Sequence, residues 1–198
     1  MNHDVQREYY RLVQEVEGLE LAPGYVWANK KEVLSGYRPV KGKPFRGLVF
    51  REMPKFFFDK KEGHGRLWDA YLTTTTFWLI SQRLKVLLEQ SCLGRFAFQK
   101  VEVDYNGQMS EGDAYWLCDF VDYLDCVDEE KSDIEYQDDV PFKNYLELKS
   151  VVLKEDVEAQ SHAFRLQYSP LTVIVDDVFV AAMRKHGVVG FDFIKLSK

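Results

Sequence analysis

The segment from Thr73 to Val103, TTTTFWLISQRLKVLLEQSCLGRFAFQKVEV, does most to decide the fold. Threonine hydroxyls at its start can cap a helix, and apolar residues then recur at intervals of three and four positions. These apolar residues are Phe77, Ile80, Leu84, Leu87 and Leu88. The pattern predicts a helix from about Thr76 to Gln90 that stops near Gly94.

Strand signals follow this helix. Four apolar residues alternate in the manner of a strand: Phe96, Phe98, Val101 and Val103. Asn106-Gly107 is a turn signal, and the aromatic-rich stretch from Ala114 to Val121 predicts the next strand. Further strands are predicted at Asn144–Lys154, Phe164–Leu166 and Val188–Lys195.

A second helix is predicted near the C-terminus. Residues Thr172–Val175 are either extended or the beginning of a helix, and Asp176 with Asp177 is expected to cap a helix over Val178–Lys185. Gly187 stops that helix. Helices and strands therefore mix without a regular βαβ alternation, which favours the α+β class. We expect a single α+β domain in which helices pack on a mostly antiparallel sheet.

The N-terminal third has a different character. Apolar residues at helical spacing predict a short amphipathic helix over Asp4–Glu17: Val5, Tyr9, Leu12, Val13 and Val16. Glycines and prolines interrupt the stretch from Ala28 to Gly65 and leave room for short strands, such as Leu48–Glu52 and Lys55–Asp59. We expect residues 1–66 to form an irregular, hairpin-rich N-terminal extension of an α+β domain at residues 67–198.

Composition sets the broad class. The chain has 198 residues, of which 46% are hydrophobic and 15% aromatic, so it can bury one core without disulfides. No apolar run reaches the roughly 18–20 residues of a membrane-spanning helix, and the first residues lack a signal-peptide pattern. The three cysteines lack metal-site spacing and are expected to be buried and reduced: Cys92, Cys118 and Cys126. We therefore expect a cytoplasmic protein that binds no membrane.

Catalytic signals are absent from the sequence. It contains no motif for phosphate binding, for a nucleophilic serine or for zinc-dependent hydrolysis. The four histidines are scattered, without a neighbouring nucleophile: His3, His64, His162 and His186. His64 is expected in an exposed turn between two glycines, and His186 at a helix C-terminus. We expect no catalytic residue, no cofactor and no metal, and thus a protein that is not an enzyme.

Charge is distributed unevenly along the chain, whose formal net charge is -6. Residues 30–66 are rich in Lys and Arg, whereas residues 119–139 hold ten carboxylates and one basic residue, Lys131. Four aspartates recur at every third position: Asp119, Asp122, Asp125 and Asp128. The run lacks the glycine of a calcium-binding loop, which disfavours a metal site. It is either a solvated acidic face or a surface that docks onto a basic partner.

The residues of this acidic run resemble a known family. Tyr115–Ser132 reads YWLCDFVDYLDCVDEEKS, a strand followed by a motif of the form D-C/A-h-D-x-x-x-S, where h is apolar. Later matches come in the family's order: Phe164-Arg165-Leu166, Ile174–Val178 and Gly187–Phe193. Asp176 stands where the family often has Ser. Over Leu67–Phe193 the chain is similar to the eleventh catalogued family of immunity proteins from bacterial polymorphic toxin systems.

This resemblance implies an antitoxin that binds a cognate toxin protein and silences it, without catalysis. Many such toxins are nucleases, so an acidic surface would fit a basic substrate cleft and would bind no nucleic acid itself. The predicted partner-binding residues are Asp128, Glu129, Glu130, Asp133 and Glu135. Two alternatives remain open. One is an enzyme or small-ligand-binding domain with a pocket of Trp, Tyr and carboxylates, and the other is a non-catalytic adaptor subunit.

Overall fold

A computed structural model describes residues 7–16, 24–59, 67–75, 77–105, 114–155, 157 and 159–197. The elements in these ranges are β1 (Tyr9–Gln14), β2 (Gly24–Trp27), α1 (Lys30–Val33), β3 (Lys55–Asp59), β4 (Ala70–Leu72), β5 (Trp78–Ser81), α2 (Gln82–Gln90), β6 (Phe96–Lys100), β7 (Glu102–Tyr105), β8 (Tyr115–Phe120), β9 (Tyr123–Leu124), β10 (Asp133–Tyr136), β11 (Tyr145–Ser150), β12 (Ala163–Leu166), β13 (Ser169–Asp176), α3 (Asp177–Lys185) and β14 (Phe191–Lys195). A 3₁₀ turn forms at Pro44–Gly47. Within these ranges the longest helices have nine residues, too few to span a bilayer.

The strands form four sheets, in the orders β14-β1-β13-β12-β9, β4-β5-β8-β6, β2-β3-β7 and β10-β11. Neighbouring strands are antiparallel in every pair except β12–β9 and β3–β7. Helix α3 packs with the five-stranded sheet and α2 with the four-stranded sheet, and both helices contribute to one apolar cluster. The predicted single α+β domain with mostly antiparallel strands is confirmed.

Most predicted elements from Lys55 onward are present. The predicted strands over Lys55–Asp59, Ala114–Val121, Asn144–Lys154, Phe164–Leu166 and Val188–Lys195 correspond to β3, β8, β11, β12 and β14. Thr172–Val175 is extended, within β13. Asp176 caps α3 as predicted, because its Oδ1 atom accepts the N–H groups of Val178 and Phe179, each at 3.1 Å.

The predicted helix over Thr76–Gln90 is wrong in its first part. Residues Trp78–Ser81 form β5, and α2 begins at Gln82 with Ser81 as its N-cap. The side chains of Phe77–Ile80 are at most 1% exposed, and β5 lies between β4 and β8. A short apolar run that is buried on both faces fits a central strand as well as a helix, so its periodicity cannot distinguish the two.

The predicted N-terminal helix over Asp4–Glu17 is also wrong in its described part, where β1 lies between β13 and β14. Pairing on both edges satisfies the backbone of β1, and this tertiary arrangement outweighs the helical spacing. The predicted strand at Leu48–Glu52 is irregular backbone. The predicted turns at Asn106-Gly107 and around His64 lie outside the described residues. The predicted boundary at residue 66 stays a prediction.

The three cysteines give a prediction about chemical reactivity. All three thiols are free, and Cys118 and Cys126 are buried as expected, but Cys92 is exposed after α2. Burial raises the pKa of Cys118 well above its ordinary value and that of Cys126 to about 12. Because the thiolate is the reactive form, a thiol reagent should modify one cysteine per native molecule and three after unfolding.

Mass spectrometry of the modified protein checks this count, and Cys92→Ser is the control that should leave no reactive thiol in the native state. Two or more modified thiols in the native protein would show that the core around Cys118 or Cys126 opens readily.

Candidate functional site

The acidic run divides into an inner and an outer half. Each of the first five carboxylates forms an ion pair within the chain: Asp119 with Arg165, Asp122 with Arg95, Asp125 with Lys154, Asp128 with Lys131 and Glu129 with Lys143. The next five are exposed, and none of them forms an ion pair with a described residue: Glu130, Asp133, Glu135, Asp138 and Asp139. The carboxylates of the inner half thus have partners within the chain, and those of the outer half face solvent.

The ion pair of Asp119 lies inside the core. Asp119 on β8 is 1% exposed and accepts a hydrogen bond of 3.0 Å from Arg165 Nη2 on β12, whose side chain is 0% exposed. Burial raises the pKa of Asp119, while the Arg165 guanidinium and the Phe45 N–H act in the opposite direction. Arg165 also donates to the carbonyl oxygens of Phe120, at 2.9 Å, and Pro170, at 2.7 Å. Arg165 thus joins β8, β12 and β13.

Asp128 and Ser132 brace the turn that leads into β10. The carboxylate of Asp128 accepts the Lys131 N–H at 3.2 Å, and its backbone carbonyl accepts the Ser132 hydroxyl at 2.6 Å. Ser132 Oγ accepts the Val152 N–H at 3.0 Å. Slight desolvation opposes ionisation of Asp128, but hydrogen bonds from Lys131 outweigh it and hold the pKa below its ordinary value. These two motif residues therefore have a structural function.

The outer carboxylates lie on and next to a two-stranded hairpin, β10–β11: Glu130 is in the turn before β10, Asp133 and Glu135 are on β10, and Asp138 and Asp139 are in the connection to β11. Glu135 on β10 stands directly opposite Glu147 on β11, and both side chains are exposed. Like charges at opposed positions of an antiparallel pair disfavour the pairing. The opposition of Glu135 and Glu147 therefore does not stabilise the pairing of β10 with β11. We define the acidic face by Glu130, Asp133, Glu135 and Glu147.

Large apolar side chains are exposed on the same hairpin. Phe142 in the connecting turn is 62% exposed, Leu146 on β11 is 60% exposed and Tyr136 on β10 is 42% exposed. The inward residues Tyr145 and Leu148 pack into a core cluster and hold the hairpin in place. Aromatic and aliphatic anchors next to charged side chains are typical of protein–protein interfaces.

Glu129 has a more specific environment than the sequence suggested. Its carboxylate accepts hydrogen bonds from the hydroxyls of Tyr145, at 2.7 Å, and Tyr136, at 2.9 Å, and from the Lys143 ammonium. Partial desolvation raises the pKa of Glu129, but these three donors outweigh it and keep the pKa below its ordinary value. Burial and the bond to Glu129 raise the pKa of Tyr145 well above its ordinary range.

The five predicted partner-binding residues thus fall into two groups. Glu130, Asp133 and Glu135 are exposed, whereas Asp128 and Glu129 are partly buried and hydrogen-bonded within the chain. Contact between any of them and a toxin stays a prediction. Lys143 and the tyrosines around it were not predicted from the sequence, although Lys143 is the first basic residue after the acidic run.

A cavity of about 610 Å³ lies apart from the acidic face, and Cys92, Arg95, Asp122 and Tyr123 are among its lining residues. Arg95 and Asp122 form an ion pair at 3.1 Å. The described ranges contain no group of three or more His, Cys, Asp and Glu side chains arranged to hold a metal ion. The cavity offers a charged pair but no ligand set for a cation.

The described histidines have structural surroundings. His162 Nδ1 lies 2.6 Å from Oδ2 of Asp176, the buried cap of α3, and His186 ends that helix as predicted. His3 and His64 lie outside the described residues.

Comparison with known proteins adds one finding. A family model described as "Immunity protein family (Imm11)" matches residues 8–198, which includes β1 and nearly the whole chain. The match extends further toward the N-terminus than the sequence resemblance, which began at Leu67. No curated protein matches the chain.

Proposed function

Because the chain belongs to the Imm11 immunity protein family, we propose that it binds and neutralises one cognate toxin domain through the acidic face of β10–β11. The protein then acts in the cytoplasm of the producing cell as a binding partner, without chemistry of its own. The observation that carries this proposal is the placement of Glu135 opposite Glu147 on an exposed hairpin. Folding alone does not favour that arrangement, whereas a basic partner would compensate for it.

The chemistry of the face favours a toxin with a basic substrate cleft. Exposed carboxylates on a strand pair present repeated negative charges, as the phosphates of a nucleic acid do. A nuclease domain that attracts phosphates would therefore attract this face. The exposed side chains of Phe142 and Leu146 supply apolar contact area next to the charges. Charge would then accelerate association, and the apolar residues would slow dissociation.

The test removes two charges of the acidic face in the variant Glu130→Gln with Glu135→Gln. The toxin is the product of the neighbouring gene and is obtained by co-purification with this protein. We expect the association rate constant to fall about tenfold at low salt, and the affinity to depend less on salt. The melting temperature should stay equal or rise slightly, because the repulsion between Glu135 and Glu147 is lost. Glu129 is left unchanged because it braces the hairpin.

The matched control removes two exposed carboxylates elsewhere, in the variant Glu32→Gln with Glu52→Gln. This control carries the same net charge, so a smaller loss of association rate in the control would locate the interaction on the hairpin. If both variants associate with the toxin at the same rate, the acidic face is merely a solvated surface and the proposed docking site is wrong.

A further inference from the structure

The ammonium of Lys143 occupies a site that three tyrosines and one carboxylate form. Besides its ion pair with Glu129, Lys143 Nζ lies 4.4 Å from the ring centroid of Tyr168 and 5.8 Å from that of Tyr145. Tyr136 donates its hydroxyl to the other oxygen of Glu129. We call Glu129, Tyr136, Tyr145 and Tyr168 the tyrosine cage. Aromatic faces next to a carboxylate are a recognised arrangement for binding a cation.

The tyrosines of the cage have contacts of their own besides those with Lys143. The rings of Tyr136 and Tyr145 meet edge to face, with centroids 5.7 Å apart, and those of Tyr145 and Tyr168 do so at 5.6 Å. The Tyr145 N–H donates to the Tyr168 carbonyl at 2.8 Å, and Tyr145 is 4% exposed within a core cluster. These contacts hold Tyr145 and Tyr168 in addition to those of the lysine. We expect the two rings to keep their positions when Lys143 leaves.

Lys143, in contrast, is easily replaced. It lies in the irregular connection between β10 and β11, and its side chain is 38% exposed. Exposed ion pairs contribute little to stability. A second ammonium, that of Lys41, lies 5.5 Å from the ring centroid of Tyr168. The Lys41 ammonium also donates to the carbonyl oxygen of Gln167. The ring of Tyr168 thus has ammonium groups from two distant parts of the chain next to it.

We propose that a lysine or arginine side chain of the toxin enters the tyrosine cage and displaces Lys143, so that Lys143 is an internal competitor for the site. This inference rests on the proposed function and names the anchor of the interface. Lys143 and the incoming cation share the same acceptor, Glu129. The outer carboxylates of β10–β11 attract the toxin, and the cage receives one of its basic side chains in a desolvated position.

The variant Lys143→Met vacates the cage and is expected to bind the toxin about tenfold more tightly. An internal competitor that fills a site for about nine-tenths of the time leaves about one-tenth of the molecules able to bind. The apparent affinity for another ligand then falls about tenfold. The gain should lie mainly in a slower dissociation rate, since an anchor side chain acts after the encounter. The control is Lys149→Met, which removes the same charge from β11 outside the cage.

A second comparison separates the cage from general electrostatics. In a Tyr168→Leu background, Lys143→Met should give no gain beyond that of Lys149→Met, because the cation has lost its aromatic face. Equal gains for Lys143→Met and Lys149→Met in the wild-type background would overturn the inference and leave the proposed function intact. A weaker complex for Lys143→Met would also overturn it, since Lys143 would then contribute to binding. Melting temperatures verify that each variant is folded.

A toxin-free experiment tests the cage even if the proposed function fails. Nα-acetyl-lysine amide is titrated into Lys143→Met and into the wild type while the tyrosine ring signals are followed by NMR. Saturable shifts of Tyr145 and Tyr168 in the variant, at concentrations that leave the wild type unchanged, support the cage. Identical responses of the two proteins would overturn it. Failure of the wild type to bind any toxin, together with saturable shifts in the variant, would reject the proposed function alone.

Discussion

Replacing Gly190 with alanine is expected to destabilise the protein by about 4 kcal/mol or more, a large part of the stability of an ordinary domain. A Cβ atom at Gly190 would lie 2.1 Å from the carbonyl oxygen of Ala70 and 3.0 Å from its carbonyl carbon. The backbone at Gly190 has φ +109, which L-residues rarely adopt. Two independent penalties, one steric and one conformational, therefore coincide at this residue.

Relaxation around Gly190 is limited because hydrogen bonds hold both the segment around Gly190 and the segment around Ala70. The Gly190 carbonyl accepts from Gln14 Nε2 at 2.8 Å, and its N–H donates to Glu15 at 2.8 Å. Ala70 is 0% exposed, and its N–H donates to the Val189 carbonyl. Moving Ala70 away would break the contact between β4 and the segment before β14. The added methyl group thus cannot be accommodated without breaking some of these hydrogen bonds.

The matched control is Gly187→Ala. Gly187 also has a positive φ, +57, but nothing lies within 4 Å of the position of its Cβ. This variant should lose about 1 kcal/mol, the cost of a left-handed alanine after α3. Urea unfolding of both variants measures the difference, and soluble yield serves if Gly190→Ala does not fold. Equal losses for the two variants would mean that the contact with Ala70 is easily relaxed.

The elements that the sequence predicted well carry local signals. Helix α3 follows a capping aspartate, Asp176, and ends at Lys185, two residues before Gly187, so neighbours along the chain determine its ends. Strand β8 is rich in aromatic residues, and the prediction from Ala114 to Val121 matched it within one residue at each end. Chemistry that acts over a few residues can be read from the sequence alone.

The elements that were predicted wrongly from the sequence depend on partners far away along the chain. Strand β1 has helical spacing, but β13 and β14, more than 150 residues further along the chain, take up both of its edges. Residues Trp78–Ser81 form a strand because β4 and β8 pair with its two edges, which no local pattern indicates. In such segments tertiary pairing decides between helix and strand.

The candidate site follows the same rule. The position of the acidic run can be read from the sequence. Its division into an inner and an outer half cannot, because that division depends on which basic side chains lie nearby in space. Arg165 and Lys154, which pair with Asp119 and Asp125, come 46 and 29 residues later along the chain. The partners of Glu129 lie 7, 14 and 16 residues beyond it, across an irregular hairpin whose register shifts. Spacing arguments therefore could not find the tyrosine cage.

Replacing Arg165 with methionine is expected to cost about 3–5 kcal/mol of stability, because it leaves the Asp119 carboxylate buried without its cation. The change also removes the donors to the carbonyl oxygens of Phe120 and Pro170. The matched control is Arg95→Met, which breaks an Arg–Asp pair of nearly the same length, 3.1 Å, whose arginine side chain is 73% exposed. That variant should lose at most about 1 kcal/mol. Urea unfolding of both variants at neutral pH makes the comparison.

Acidification gives this prediction a second, independent readout. Burial already raises the pKa of Asp119, and loss of Arg165, whose charge acts in the opposite direction, raises it further. A carboxyl with a folded-state pKa above its unfolded value favours folding below that unfolded value, and the benefit is lost as the pH rises through the folded pKa. The deficit of Arg165→Met should therefore shrink as the pH falls from neutrality toward 3.8, the ordinary pKa of an aspartate. Adding Asp119→Asn to Arg165→Met should remove this pH dependence and recover about 1–2 kcal/mol, with the two carbonyls still unsatisfied. A deficit that does not change with pH would mean that the lost packing and carbonyl bonds of Arg165, and not the stranded charge, account for the whole cost.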